Sequence, residues 1–382
     1  MNTEQKKTAL LHYWLQHMRG GEMVFAEFCK RFPGAEIFTH AAIKENLSAA
    51  IATHPINESL IAKMPFGRKC CQSYLPLMPL ALKQWNFDGY EMILSSESGP
   101  VKGIRKPSGC RHICYCHTPM RYLWDMYDEY YDSASLFTRL GMSLFKKQLR
   151  SYDRRSADSV DTFLANSHFV AERIKRIYQR ESTVLYPPVD VEYFQAAPSS
   201  ERTHYLYVGA LVCYKRPDLA VKAFAKHPDQ QLIVVGNGPM KRELHKLATP
   251  NVTFIHDADK EQIRTLYASA KALIFPGIED FGIVPVEAQA AGCPVIAMNR
   301  GGTLETVLDH KSGILIEKQD VESILNGIEE LTGLHLPESG IRHHTNQFTT
   351  LEFHKKLDTV ILSARICPGV VIWFAPDLMY FA

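Results

Sequence analysis

The chain has 382 residues, of which 46% are hydrophobic and 22% charged, and its 43 basic and 41 acidic side chains leave a formal net charge of +2. This length predicts two or three globular domains, and so even a charge balance argues against a nucleic-acid-binding protein. No stretch approaches the roughly 18 apolar residues of a membrane-spanning helix, and the apolar patch near the N-terminus is too broken for a signal peptide. The nine cysteines are scattered along the chain, which favours a reducing compartment. We therefore expect a cytoplasmic protein.

Apolar runs typical of strands alternate with helical or loop segments through the first half of the chain. The predicted strands are 8–13, 36–39, 92–95, 112–115 and 160–165. Such alternation predicts a parallel sheet with helices on both faces. A helix over 167–178 follows, with Asn166 or Ser167 as its N-cap.

A dense group of cysteine and histidine residues lies within this half, at Cys110, His112, Cys114, Cys116 and His117. Thiolates and imidazoles are the ligands that zinc prefers. The alternation along 110–116 instead favours a buried strand whose cysteines are small apolar side chains on one face. We predict a strand here, and no metal site.

Two adjacent prolines at 187 and 188 and a polar segment at 195–200 predict the linker between two domains. The alternation then restarts, with strands at 205–208, 232–235, 252–255, 272–275 and 295–297, and helices at 217–226, from 240, 260–270 and 284–291. This pattern predicts a second doubly wound sheet. Residues 351–366 have a helical pattern. For the apolar tail at 367–382 the sequence leaves open a packing segment, a membrane contact or an artefact.

The most informative stretch of the chain runs from Glu279 to Ala297. Two carboxylates, Glu279 and Glu287, flank a Phe-Gly loop and the first turn of a helix, with an apolar strand on each side. Ligands of open α/β sheets bind at this position, beyond strand ends and against helix N-termini. Free amides around Gly282 and Ile283 would hold a phosphate, and the carboxylates would accept hydrogen bonds from hydroxyls. This combination predicts a nucleotide sugar as the ligand.

The spacing E-x7-E, the start EDFG, the proline at 285 and the string AQAAGCPVIA resemble the donor-site signature of retaining GT-B glycosyltransferases of family 4. The resemblance covers nearly the whole chain and implies an α/β fold with two Rossmann-like doubly wound domains facing each other across a cleft. It implies an acceptor-binding domain over 1–190 and a nucleotide-sugar-binding domain over 200–350. The helix at 351–366 would return to the first domain.

The resemblance also assigns roles to residues of the second domain. Glu279 would engage hydroxyls of the donor sugar and Glu287 the ribose, while Lys215 and the amides of Phe281, Gly282 and Ile283 would hold the diphosphate. In the family, the loop at 209–217 often reads Gly-Arg-x4-Lys. Lys215 matches the lysine, but Ala210 stands in place of the arginine. Either Arg216 substitutes for that cation, or fewer charges hold the diphosphate.

In the first domain, Gly20 and Gly21 offer bare amides at a helix start and resemble the glycine-rich loop of the family. His117 resembles the histidine of its His-x-Pro motif, which contacts the transferred sugar, so we predict His117 and Glu279 as the catalytic residues. The loop at 301–305 resembles a further loop near the donor.

No metal or other cofactor is expected. The pattern D-x-D at 257–259 nominally fits a divalent metal, but Asp259 is a good N-cap for the helix that follows. The resembled family uses helix amides and basic side chains instead.

Two tracts, at 157–167 and 207–221, most resemble bacterial mannosyltransferases that build lipopolysaccharide O-antigen or exopolysaccharide. This similarity implies GDP-mannose as donor, an α linkage with α-1,3 among the expected forms, and a lipid-diphosphate-linked oligosaccharide as acceptor. The enzyme would then lie peripherally on the inner face of the cytoplasmic membrane. Residues 60–85 mix four cations with apolar side chains, which fits an interfacial patch as well as ordinary domain surface and core.

Three alternatives stay open. The first is a UDP-sugar donor, the second a sugar-nucleotide epimerase with the same fold, and the third a catalytically silent binding subunit, because Ala210 departs from the family pattern. The sequence does not determine the linkage position, the acceptor length or the oligomeric state.

Overall fold

The computed structural model of the protein describes residues 7–197 and 200–363. Its strands are β1 (Thr8–His12), β2 (Glu36–Thr39), β3 (Ile56–Glu58), β4 (Met92–Glu97), β5 (Arg111–Cys116), β6 (Thr162–Ala165), β7 (Ser182–Val184), β8 (His204–Val208), β9 (Leu232–Val235), β10 (Val252–Ile255), β11 (Ala270–Phe275), β12 (Val295–Met298) and β13 (Gly313–Ile316). Its α-helices are α1 (Gly20–Arg31), α2 (Ala49–Ala52), α3 (Met78–Ala81), α4 (Tyr127–Ser133), α5 (Leu136–Ser156), α6 (His168–Tyr178), α7 (Val191–Gln195), α8 (Pro217–Ala225), α9 (Lys241–Leu247), α10 (Lys260–Ala268), α11 (Ile283–Ala290), α12 (Thr303–Thr306), α13 (Val321–Thr332), α14 (Glu338–His344) and α15 (Thr350–Ser363).

The strands form two parallel sheets. The first has the order β3-β2-β1-β4-β5-β6-β7, and the second has the order β10-β9-β8-β11-β12-β13. In both sheets the chain starts in the middle, runs to one edge and then returns to build the other half. This is the doubly wound arrangement, in which ligands bind where the strand order reverses. The reversal points lie between β1 and β4 and between β8 and β11.

The sequence predicts most central strands, because buried parallel strands are continuous apolar runs. It misses the edge strands β3, β7 and β13, of three or four residues each, and two long helices, α5 and α13. The predicted cap of α6 is also resolved: the side chain of Ser167 accepts a hydrogen bond from the Val170 amide at 3.1 Å.

The strand predicted for the cysteine and histidine cluster is confirmed as β5. Cys114 and Cys116 are buried and pack against Phe163 and Val170 in the core of the first domain. His112 lies beside them, with Nε2 2.7 Å from Ser95 Oγ. Across residues 7–197 and 200–363, no group of three or more His, Cys, Asp or Glu side chains is arranged to hold a metal ion.

The helix α15 returns to the first sheet after the second domain is complete. Its side chains Phe353 and Leu357 are buried in one cluster with Leu10 and Phe28. The Phe28 and Phe353 rings lie 5.6 Å apart, and Arg31 forms an ion pair with Asp358. Residues 364–366 of the predicted helix and the tail at 367–382 lie outside the described residues.

A buried ion cluster fixes α5 to the first sheet. The Lys102 ammonium, with no exposed surface, lies 2.6 Å from Asp153 and 3.1 Å from Glu97, the last residue of β4. Asp153, on α5, also accepts hydrogen bonds from Trp124 Nε1 at 2.7 Å and from the Tyr178 hydroxyl at 3.0 Å. All these charges have lost their hydration, so each depends on its partners.

We expect Lys102→Met to destabilise the protein by about 3 to 5 kcal/mol, because it leaves two carboxylates buried without a counter-charge. Urea unfolding at pH 7 measures this loss. The matched control is Lys106→Met, since Lys106 pairs with Asp161 near the surface and its loss should cost less than about 1 kcal/mol. Equal losses in the two variants would contradict a structural role for the buried cluster.

Candidate functional site

A cavity of about 960 Å³ opens between the carboxyl ends of the two sheets. Loops that follow β1 and β5 line it from the first domain, and loops that follow β8 and β11 line it from the second. The two reversal points therefore face each other across one space. This position is typical of ligand sites at domain interfaces.

The loop between β11 and α11 contributes the largest share of the second domain's wall. Gly282 has a φ of 96°, a conformation that glycine adopts at little cost, and α11 begins at the next residue. The glycine pair at 301–302 packs against this loop. The Gly302 amide donates to the Glu279 carbonyl at 2.8 Å, and a Cβ at Gly302 would lie only 2.3 Å from Phe281 Cα. The predicted loop at 301–305 thus shapes the site by packing on this loop.

The side chain of Phe281 is buried in the core of the second domain. The residue reaches the cavity wall beside Gly282 and Ile283. Because α11 begins here, unpaired amides at its N-terminus provide a positive end for an anion. The structure places these three predicted residues together.

Lys215 and Glu279 form an ion pair inside the cavity, with Nζ 2.8 Å from Oε1. Lys215 follows β8, and Glu279 lies in the loop after β11, so adjacent strands of the sheet deliver both. Burial alone would lower the pKa of Lys215, but the neighbouring Glu279 carboxylate raises it overall. Lys215 is therefore a cation at neutral pH, available to an anionic ligand.

Glu287 lies on α11 and also lines the cavity. Its Oε2 accepts a hydrogen bond from the Tyr267 hydroxyl at 3.2 Å. Burial raises the pKa of Glu287 to about 7, and the bond from Tyr267 only partly offsets that effect. A ligand hydroxyl that donated to Glu287 would supply the solvation that this carboxylate lacks.

Across the cavity, Gly20 and Gly21 begin α1 and face both His117 and the second domain. A Cβ at Gly20 would lie 3.2 Å from Ile283 Cδ1, and one at Gly21 would lie 3.5 Å from His117 Nε2. The N-termini of α1 and α11 therefore meet in the same space. His117 lines the cavity with Nε2 2.8 Å from Ser96 Oγ. Burial lowers the pKa of His117 to about 3, so its ring is neutral at physiological pH.

Of the predicted site residues, Arg216 alone does not line the cavity. Its guanidinium makes two hydrogen bonds to Asp218, at 2.9 and 3.1 Å, and Arg216 is absent from the cavity wall. The cause is local, because Arg216 adopts a left-handed conformation with φ of 52° and serves as the N-cap of α8. The prediction that Arg216 replaces the cation missing at Ala210 is therefore not supported by the geometry.

Arg121 is a cation of the cavity wall to which the sequence assigned no role. It follows β5 in the same loop as His117, forms an ion pair with Asp280 and lies over the Tyr214 ring at 5.7 Å. The first domain thus brings a cation next to Lys215 and Glu279. The signal available in the sequence was an arginine shortly after His117 at the same strand end.

Asp280 ties the two domains together directly beside the site. Its buried carboxylate receives both Arg121 and Arg173 of the first domain, and its carbonyl accepts the Ser167 hydroxyl at 2.5 Å. Glu305 of the second domain accepts from the first amides of α6, at 2.8 and 3.1 Å. These contacts hold the loop between β11 and α11 against the first domain.

Asp259 has the capping role predicted for it. Its Oδ1 accepts from the Gln262 amide at 2.8 Å at the start of α10.

None of the helices in the described part of the chain has the length and apolar content that a membrane-spanning segment needs.

Comparisons with known proteins match both halves of the chain. The family model described as "Glycosyltransferase Family 4" matches residues 18–193, and that described as "Glycosyl transferases group 1" matches residues 190–339. D-inositol 3-phosphate glycosyltransferase of Mycobacterium sp. (strain JLS) is 30% identical over 207 residues, which are 47% of this chain and 46% of that protein. A GDP-mannose-dependent alpha-(1-6)-phosphatidylinositol monomannoside mannosyltransferase of Mycobacterium tuberculosis (strain CDC 1551 / Oshkosh) is 29% identical over 212 residues, 48% of this chain and 55% of that protein. The chain spans about half the length of the curated relatives it matches.

Solved structures resemble most of the chain in fold. HepE of Anabaena, in complex with UDP and glucose, superposes with a TM-score of 0.71 at 18% identity, covering 94% of this chain and 100% of that one. WaaG, a glycosyltransferase involved in lipopolysaccharide biosynthesis, superposes with a TM-score of 0.64 at 16% identity, covering 93% of this chain and 99% of that one. The predicted fold class, GT-B with two Rossmann-like domains, is confirmed.

We expect Glu287→Gln to stabilise the protein above pH 7. The pKa of Glu287 is about 7 in the folded protein against 4.5 for the free group, so the wild type loses stability as the pH rises from 4.5 through 7. The full shift corresponds to about 3 kcal/mol, and because the cavity admits water we expect a difference of about 1 to 3 kcal/mol at pH 8.

Urea unfolding at pH 5 and pH 8 tests this expectation, with Glu329→Gln on the exposed face of α13 as control. The advantage of Glu287→Gln should shrink towards pH 5, whereas the effect of the control should stay constant. An advantage of the same size at both pH values would contradict an elevated pKa.

Proposed function

We propose that this chain, which has the GT-B fold and whose two halves match glycosyltransferase family models, is a retaining glycosyltransferase. It transfers a sugar from a nucleotide diphosphate to an acceptor hydroxyl in the cavity between the domains. The observation that carries this proposal is the pair Lys215 and Glu279 beside the N-terminus of α11, with Glu287 on the same helix. A cation, free amides and two carboxylates match a diphosphate flanked by two sets of hydroxyls.

The two members of the ion pair bind different parts of the donor. The diphosphate attracts Lys215, and the sugar hydroxyls then donate to Glu279, so each side chain exchanges its partner for a group of the ligand. Glu287 accepts hydroxyls of the ribose. His117, neutral and next to Gly21, lies where it can contact the transferred sugar without adding charge to the reacting centre.

In the transfer step, the bond between the anomeric carbon and the phosphate oxygen breaks, and its electron pair leaves with the diphosphate. Lys215 and the amides of α11 stabilise this charge as it develops. The acceptor oxygen forms its bond to the anomeric carbon on the same face, and its proton passes to the leaving phosphate oxygen. The anomeric configuration is retained without a protein nucleophile.

GDP-mannose is the proposed donor, and the reaction is α-mannosyl transfer. Its support is the similarity to the GDP-mannose-dependent relative, together with the tracts at 157–167 and 207–221. The second candidate is a UDP-sugar donor, which the fold shared with the UDP-bound HepE favours. The proposed acceptor is a lipid-diphosphate-linked saccharide of O-antigen or exopolysaccharide synthesis, used at the inner face of the cytoplasmic membrane.

Two neighbouring cations provide a matched test of the donor site. Lys215→Met should lower the transfer rate by about 100-fold or more, because it removes charge stabilisation of the leaving diphosphate. Arg216→Met should keep most of the activity, because Arg216 points to Asp218, which still has Lys222 at 3.0 Å. Steady-state rates of both variants show which of the two cations stabilises the leaving diphosphate. Equal losses of activity would contradict the assignment of that role to Lys215 alone.

Product formation tests the function itself. The protein is incubated with GDP-mannose or with UDP-glucose, each with and without a mannosylated lipid-diphosphate acceptor, and products are identified by mass spectrometry. We expect the acceptor to gain one or more hexoses from GDP-mannose, and His117→Ala and Glu279→Ala to abolish that gain while thermal unfolding stays cooperative. Transfer from UDP-glucose alone would overturn the donor assignment. An altered nucleotide sugar formed without acceptor would show an epimerase, and no product at all a silent binding protein.

A further inference from the structure

The first half of α5 exposes large apolar side chains to solvent. Phe137 is 91% exposed, Leu136 81%, Leu144 67% and Leu140 59%. Helical periodicity places these four on one side of α5, opposite the side that faces the protein. Scattered exposed leucines are normal, but a contiguous row of this kind on one helix marks an interaction surface.

Along the second half of α5, this outer side and the flank next to it are basic. They carry the cations Lys146, Lys147, Arg150, Arg154 and Arg155, which line a groove along Trp124. Arg150 and Arg154 stack on the Trp124 ring at 4.9 and 4.8 Å. Within the described residues, none of these five cations has an ion pair with a carboxylate. The acid of α5, Asp153, faces inward to Lys102.

The outer face of α5, defined by these four apolar and five basic residues, is fixed in place. Asp153 is held by Lys102, Trp124 and Tyr178, and Leu149 packs with Met120 and Leu123. A partner therefore meets a rigid surface whose apolar half and cationic half lie end to end. An interfacial helix on an anionic bilayer has these properties, with apolar side chains among the acyl chains and cations at the headgroups.

The inner side of α5 lines the active-site cavity. Thr138, Met142 and Leu149 line that cavity together with Leu75, which packs against the cluster that contains Leu149. The segment at 60–85, which contains Leu75, also exposes apolar side chains, among them Phe66 at 79%. A surface that covered the outer side of α5 would thus lie next to the apolar end of the cavity.

We propose that the outer face of α5 docks onto an anionic phospholipid bilayer and holds the apolar end of the cavity at the membrane surface. This inference deepens the proposed function and rests on it for the purpose of docking, since a lipid-linked acceptor would then reach His117 without leaving the bilayer. The contact itself depends only on the charges and apolar side chains of α5.

Sedimentation with vesicles tests the docking without any nucleotide sugar. Phosphatidylcholine vesicles with phosphatidylglycerol should bind the protein, vesicles of phosphatidylcholine alone should bind it more weakly, and added salt should weaken binding. The double variant Phe137→Glu with Leu140→Glu should lower the affinity for mixed vesicles by about tenfold or more. Lys147→Glu with Arg155→Glu should remove the preference for phosphatidylglycerol.

The matched control is Leu351→Glu, an exposed leucine of α15, which should bind as the wild type does. Each variant is first shown to unfold cooperatively. Absence of wild-type binding to mixed vesicles overturns the proposal, and so does binding of the α5 variants at wild-type affinity. A stable dimer that the Phe137 variant dissociates would also overturn it, because the face would then belong to a second copy of the chain.

The vesicle experiment and the product assay fail independently. Binding without any sugar transfer would leave the docking surface intact and overturn the proposed function. Sugar transfer to a detergent-solubilised acceptor without vesicle binding would support the proposed function and overturn the docking surface. The α5 variants should keep their activity on the solubilised acceptor, since none of their changed side chains lines the cavity.

Discussion

The carboxylate of Asp280 connects the second domain to the first at the edge of the cavity that forms the candidate site. It is buried and receives two arginines of the first domain, Arg121 and Arg173. A buried carboxylate is stable only with such partners, so the loop that carries Asp280 depends on contact between the domains. The preceding residue, Glu279, faces the cavity. One short loop therefore both joins the domains and presents the group that we assign to the donor sugar, so the shape of the site depends on the contact between the domains.

The electrostatics of the cavity follow from this arrangement. The two facing helix N-termini, those of α1 and α11, contribute backbone amides, and Lys215 and Arg121 contribute cations from different domains. A Cβ at Gly20 would lie 3.2 Å from Ile283 Cδ1, so any larger side chain there would require Ile283 to shift. Such a set of preorganised donors costs little reorganisation when negative charge develops on a leaving group. Arg121 is held by Asp280, so its position also depends on the contact between the domains.

The sequence predicts the central architecture and most of the site, for physical reasons. Buried strands such as β2 and β9 are apolar runs whose ends are marked by polar residues, and their predicted bounds agree with the structure. The edge strands β3 and β7 have only three residues each, none of them fully buried, so the same signal fails for these two. The helix α5 is missed because its outer side is apolar over two turns, which removes the contrast on which helical periodicity depends.

The positions of some site residues could also be predicted from the sequence, and those of others could not. Glu279, Lys215 and Glu287 lie at strand ends or helix starts of one sheet, so chain order alone brings them together. The direction of a long side chain is not fixed by such placement. Arg216 turns to Asp218 because of its own left-handed backbone, and Arg121 contacts the second domain through its ion pair with Asp280. The contact of Arg121 depends on how the two domains meet, and no local pattern in the sequence records it.

A crystal structure of the protein with GDP bound tests the central claim most directly. We predict the diphosphate at the N-terminus of α11, with Lys215 Nζ in hydrogen-bonding contact with a phosphate oxygen and the ribose hydroxyls on Glu287. The Lys215 ammonium should then have exchanged its contact with Glu279 for the diphosphate. A nucleotide bound outside this cavity, with the pair of Lys215 and Glu279 unchanged, would contradict the assignment of this cleft as the donor site.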